Sequence, residues 1–191
     1  GWEASRKNAY EALGEMAEGV PPGADRLIFL PHLGGRNTPN DPDMRGAFIG
    51  LTWAHRKPHM YRAILESIGY EYALYMKSVR AIADVRPTEV IGIGGGARSR
   101  VFKQIKSDIL GLDYKSLDRE EFGTLGAAIV AGKAVGLFDD VAETAKRFVT
   151  PKNEVIRPDP TRHEAYKPYA ALYEELMANS TPLFGTLAKI A

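Results

Sequence analysis

The stretch Val90-Ile-Gly-Ile-Gly-Gly-Gly-Ala-Arg-Ser-Arg100 constrains the fold more than any other part of the chain. A short apolar run ends in a cluster of glycines. After Ser99 the pattern changes to Val101, Phe102, Ile105 and Ile109, which is helical spacing, and Gly111 closes it. A strand, a tight turn and a helix in succession are the unit from which helix-covered sheets are built. Glycines strip the turn of side chains, so its backbone can touch a flat base or a phosphate. The helix that follows offers free N–H groups and a partial positive charge. Three readings stay open on these residues: a dinucleotide site, a nucleotide phosphate or adenosine site, and a purely structural turn. Gly92, Gly94 and Ala97 satisfy the G-x-G-x-x-G/A fingerprint, and Asp113 or Asp118 stands near the next strand. Against a Rossmann-type NAD site of a dehydrogenase, two strands and a long helix come first in the chain.

Those preceding elements are read from period and punctuation. Ala9, Tyr10, Leu13, Met16 and Ala17 give a helix over 5–19. Val20-Pro-Pro-Gly-Ala24 is a turn, and Leu27–Leu30 a buried strand. Residues 31–45 are rich in Gly, Pro, Asn and Asp and form a long ordered loop. Gly46–Trp53 reads as a strand whose final tryptophan packs. His59 to Ala83 reads as a long helix with one stripe of Met60, Ile64, Ile68, Tyr72, Tyr75, Val79 and Ile82. Strands at 89–93 and 114–117 and helices at 99–110, 121–135 and 141–148 follow. The glycines and alanines of the 121–135 helix leave a bare face for a sheet or a ligand. A tail from Pro160 is amphipathic through Ala165, Tyr169, Leu172 and Leu176, with Pro168 as a kink point. Alternating strands and helices predict one α/β sheet covered on both faces, with peripheral helices at the end.

Composition narrows the function. The 25 basic and 24 acidic residues leave a net charge of +1, so there is no electrostatic case for nucleic acid or an anionic membrane. No cysteine is present, which removes disulfides and thiolate chemistry. A soluble, cytoplasmic protein is expected. The chain starts at Gly1, which fits a piece of a longer polypeptide.

Several motifs together resemble one family. Gly46-Ala-Phe-Ile-Gly-Leu51, seven residues, and then His59-Met-Tyr-Arg-Ala-Ile-Leu-Glu66 resemble the second signature of the FGGY carbohydrate kinases. Ile91–Gly111, with Gly94-Gly-Gly-Ala97 and Ser107-Asp-Ile-Leu-Gly111, is similar to that family's adenosine motif. Phe122-Gly-Thr-Leu-Gly-Ala-Ala128 resembles its next helix, and Phe29–Pro39 the loop of xylulose-kinase-like members. The resemblance implies an actin-like ATPase (RNase H-like) α/β domain: a mixed sheet flanked by helices, here lacking its first strands. On it, residues 1–191 are a partial C-terminal, nucleotide-binding domain of a two-domain sugar kinase. ATP and Mg²⁺ are the implied cofactors, a xylulose-like ketose or polyol the substrate, and the protein's own N-terminal domain the partner. The catalytic aspartate is expected in that other domain, so the fragment alone is expected to be inactive. Apolar surface left by truncation admits a homodimer. A non-catalytic actin-like regulator is the remaining alternative.

Carried over residue by residue, the nucleotide contacts are Gly94, Gly95, Gly96 and Ala97, whose backbone would lie against the adenosine side, and Arg100. Arg100 falls where glycerol-kinase-like members place an asparagine. It either stacks on the base, reaches a phosphate or points into water. Valine at Gly96 is expected to fill the base's place while sparing the fold. Gly35-Arg-Asn-Thr-Pro39 departs from the family's Gly-Glu-Arg-Thr-Pro, which marks a subgroup of different substrate. His32, His55 and His59 form no metal-ligand spacing, and Glu66 is expected to make a structural hydrogen bond. Tyr61, Tyr70, Tyr72 and Tyr75 are expected in core and interface.

Overall fold

The computed structural model describes residues 9–83, 85–118 and 121–190. Helix α1 (Ala9–Glu18) leads through a turn to strand β1 (Ile28–Leu30). The first residues of the expected 5–19 helix, 5–8, lie outside the described residues. A long loop follows, then β2 (Ala47–Ile49) and the long helix α2 (Lys57–Ala83). Then come β3 (Glu89–Gly92), α3 (Arg100–Leu110), β4 (Asp113–Leu117), α4 (Phe122–Ala134), α5 (Val141–Phe148), β5 (Pro151–Ile156) and α6 (Pro160–Leu187). Among the described residues no helix is long and apolar enough to cross a membrane.

The single sheet expected from the alternation is two sheets among the described residues. β1 and β2 pair antiparallel, Phe29 opposite Phe48. β3, β4 and β5 form a second sheet in that order, β3–β4 parallel and β4–β5 antiparallel. Periodicity overlooked β5, because Pro151 and the polar run behind it do not alternate cleanly. An edge position is where a sheet tolerates a proline. The strand expected over 46–53 is only three residues long, and Trp53 is 98% exposed rather than packed.

Both long helices turn a different face inward from the one their apolar residues mark. In α2, Met60, Tyr72, Val79 and Ile82 are exposed, while Arg62, Ala63, Leu65, Glu66, Gly69, Tyr70 and Glu71 are buried. In α6, Ala165 and Leu172 of the expected side are exposed and Tyr169 and Leu176 are half-buried against the core, while Tyr166, Tyr173, Met177 and Ser180 are buried. The cause is the same in both. Paired polar groups can be buried, so counting apolar residues misplaces the face. Arg62 Nε donates to Glu66 Oε1 at 2.7 Å, and Arg62 Nη2 donates to Tyr166 Oη at 2.6 Å. Tyr166 Oη and the Gly23 amide donate to the same Glu66 oxygen, and Tyr70 Oη to the other. Burial pushes the Glu66 carboxyl up, and the Arg62 guanidinium pulls it back. One turn on, Tyr173 Oη donates to Glu71 at 2.8 Å, and His32 and Arg36 of the long loop close on the same carboxylate. Burial holds the His32 imidazole below its ordinary value.

Helix α6 is therefore central, not peripheral. Tyr166, Tyr173 and Met177 join Ile28, Leu30, Met44, Leu65, Tyr70, Ile105 and Ile109 in the main core. Lys77–Glu174 and Arg162–Asp108 add ion pairs along its length. The bare face expected of α4 is not packed: a Cβ on Gly123 or Gly126 would meet nothing within 4 Å. The turn before β1 is left-handed through Gly23, Ala24, Asp25 and Arg26. It is tied down by the Gly23–Glu66 bond and by His59 pairing with the Asp25 carboxylate at 3.0 Å.

Removing one member of the Arg62–Glu66 pair should leave the other charge buried without its partner. Glu66→Ala is expected to cost about 3–5 kcal/mol, and Tyr166→Phe about 1 kcal/mol. Chemical denaturation of the two variants checks the order. Equal, small losses would contradict the network.

Candidate functional site

The glycine bend joins β3 to α3 as the sequence indicates. Gly94 has φ of 75° and ψ of −172°, a backbone that favours glycine. Gly95–Ala97 is one short 3₁₀ turn, with Ala97 N–H bonded to Gly94 O at 3.0 Å. Ser99 then caps α3, its hydroxyl accepting from Phe102 N–H at 3.2 Å. Gly95 and Gly96 are exposed, and Gly94 and Ala97 half-buried.

The individual glycines serve different ends. A Cβ on Gly92 would lie 1.9 Å from Tyr114 Oη, so this position is bare for internal packing. A Cβ on Gly96 would lie 3.1 Å from the Phe102 ring, so a side chain there would press on that ring. A Cβ on Gly95 would meet nothing within 4 Å.

That open side faces a cavity of about 630 Å³ between the bend and helices α1 and α2. Gly95, Gly96, Arg100 and Phe102 form one wall; Tyr10, Gly14, Tyr61 and Ile64 form the other. Glu11 and Glu15 of α1 line the same wall. Burial, with Tyr10 beside it, pushes the Tyr61 phenol up. Volume and mixed lining suit an organic ligand of nucleotide size. Arg100 also lines a neighbouring cavity of about 410 Å³ with Arg62, Asp108 and Arg162. Those two arginines are committed to Glu66 and Asp108. Arg100 makes no hydrogen bond or ion pair with the described residues. Among them, no group of three or more His, Asp or Glu side chains is arranged to hold a metal ion.

The sequence-predicted residues Gly94, Gly95, Gly96, Ala97 and Arg100 are thus contiguous, and Gly95, Gly96 and Arg100 border the cavity. The facing wall escaped sequence reasoning. Tyr10 and Gly14 share a face of α1, but spacing does not say what that face meets. Tyr61, expected in core or interface, packs against the main core and also lines the cavity.

The Rossmann alternative is not favoured. The β3–β4 register sets Asp113 opposite Glu89, at the far end of the strand from the bend. Asp118 accepts from Thr150 N–H at 3.5 Å in the connection to β5, and β4's other neighbour is antiparallel.

Comparison with known proteins agrees with this geometry. The profile of the FGGY family of carbohydrate kinases, C-terminal domain, matches residues 2–135. The xylulose kinase of Staphylococcus epidermidis is 33% identical over 95% of this chain, which spans 36% of that protein's length. The gluconokinase of Bacillus subtilis is 38% identical over 68% of the chain and 26% of its own length. The crystal structure of ligand bound xylulose kinase from Lactobacillus acidophilus superposes with a TM-score of 0.76, at 31% identity, over 92% of this chain and 35% of that one. The chain therefore spans about a quarter to a third of these relatives, and its mixed sheet with flanking helices is that of their actin-like ATPase fold. A family profile over most of the chain, and a relative one-third identical across nearly all of it, lead to one conclusion: the chain belongs to the FGGY family of carbohydrate kinases.

Proposed function

We propose that residues 1–191 are the ATP-holding C-terminal part of a sugar kinase, which moves the γ-phosphoryl group of ATP to a hydroxyl of a xylulose-like ketose or polyol. The observation that carries this reading is the side-chain-free surface of Gly95 and Gly96 on a cavity of about 630 Å³. A purine can lie against that backbone, with Tyr10 and Tyr61 offering aromatic surface opposite. Arg100, uncommitted at the rim, is placed to stack on the base or reach a phosphate. Gly94 and Ala97 hold the bend's shape from either side.

Phosphoryl transfer asks a protein mainly for positioning and charge neutralisation. Mg²⁺ would enter with the nucleotide and be held by phosphate oxygens and water, the usual manner for that ion. The residue that takes the hydroxyl proton and most sugar contacts would belong to an N-terminal domain, and closure of the two would exclude water. The fragment by itself would then not turn over. Xylulose kinases and gluconokinases both stand among the relatives, so the acceptor is proposed only as a ketose or polyol.

Two experiments test the proposal. In the full-length protein, ATP at about 100 times its Kd should add about 2.7 kcal/mol of stability and NAD(H) none. Phosphorylation of a ketose and polyol panel should accompany it. Protection by NAD(H) with none by ATP would overturn the reading. Gly95→Leu should weaken ATP binding at least about tenfold with folding stability changed by less than about 0.5 kcal/mol, the range of an exposed substitution. Gly92→Ala should do the reverse first, costing about 1–3 kcal/mol of stability through overpacking against Tyr114. Unchanged ATP affinity in Gly95→Leu would remove the bend from the site.

A further inference from the structure

Helix α3 carries a lysine in an unusual place. Lys106 is only 4% exposed, and among the described residues no carboxylate pairs with it. Its Nζ lies 4.0 Å from the centroid of Phe102, 4.7 Å from that of Tyr114 and 6.0 Å from that of Tyr72. It donates one hydrogen bond, to Tyr114 Oη at 2.8 Å. Ring faces attract a desolvated ammonium, and here they stand in for a counter-ion.

The two nearest rings are those that prop the glycine bend. The Tyr114 hydroxyl occupies the space a Cβ on Gly92 would need, and the Phe102 ring edge abuts Gly96. Gly94, with its positive φ, lies between these two contacts. Phe102 is also part of the cavity wall. One ammonium therefore touches both side chains that abut the bend.

We infer that Lys106 is a positioning residue which, through Phe102 and Tyr114, fixes the conformation of the Gly92–Gly96 bend and hence the cavity wall. The nucleotide side of this inference rests on the kinase reading above; the coupling of Lys106 to the bend does not. The support depends on charge. An ammonium donates to Tyr114 Oη and is drawn to both rings. A neutral amine loses the ring attraction and offers Tyr114 a lone pair instead. Burial, reinforced by Lys103, pulls the Lys106 amine down to about 8. The other titratable groups facing it are Tyr72 and Tyr114. Burial, with Tyr72 adding to it, pushes the Tyr114 phenol up to about 12. Lys103 itself pairs with Glu154 of β5 at 3.0 Å. As pH rises past neutrality, the Lys106 amine thus changes charge before the Tyr114 phenol.

The test uses the full-length protein with ¹³Cα-labelled glycine. Between pH 7 and 9 the Gly95 and Gly96 resonances should titrate with a midpoint near 8. ATP affinity should fall about threefold or more over the same range. In Lys106→Arg, whose guanidinium keeps its charge, both changes should vanish. In Lys106→Met, of similar length and no charge, the resonances should stay flat and the affinity stay at the weak level. A resonance step that persists in Lys106→Arg, or that is absent from the unmodified protein, overturns the inference. So does ATP affinity that ignores the step. Should ATP fail to bind at every pH while the step is present and Lys106-dependent, the kinase reading falls and the link between Lys106 and the bend stands.

Discussion

A buried carboxylate on α2 organises this domain. Glu66 gathers the Arg62 guanidinium, two tyrosine hydroxyls and the amide of Gly23, at 1% exposure. A charge so placed is tolerable only when each oxygen is satisfied. The demand draws together three parts of the chain: the long helix, the C-terminal helix through Tyr166, and the left-handed turn before β1. Glu71, one turn along, repeats the device with Tyr173, His32 and Arg36, and so ties down the long loop. The apolar core fills in around these two anchors.

The candidate site follows from that frame. With α2 held against α6 and β1, its other side is left to face α3. The opening between α1, α2 and the glycine bend is the resulting cavity. Polar commitments also sort the arginines. Arg62 and Arg162 are consumed by internal carboxylates, whereas Arg100, at the first position of α3, has no partner among the described residues. The bend is bare at Gly95 and abutted by Tyr114 at Gly92 and by Phe102 at Gly96. A surface that must touch a ligand without side chains has to take its shape from what lies behind it.

Much of the architecture was legible because it rests on local rules. The Gly-rich turn, the Ser99 cap and the Gly111 stop mark α3 within a residue, and the family motifs need only order and spacing. The resemblance to FGGY kinases was readable for the same reason. What misled were rules that count apolar residues. The α2 stripe through Met60, Tyr72 and Ile82 lies largely outside, because Arg62, Glu66 and Glu71 are buried as partners of one another. Trp53, expected to pack at the end of its strand, is in solvent. β5 went unseen because an edge strand beginning at a proline carries almost no alternation.

By itself, then, the sequence determined the succession of elements other than β5, the bare bend and the family, all of which depend on neighbours in the chain or on short fixed spacings. The tertiary structure decided which face of each long helix turns inward, that α6 is central, and that Tyr10 and Tyr61 stand across a cavity from Gly95. These depend on contacts between residues many positions apart, such as Glu66 with Tyr166. No local pattern encodes them, because a polar group's place inside or outside is settled only by whether a partner arrives.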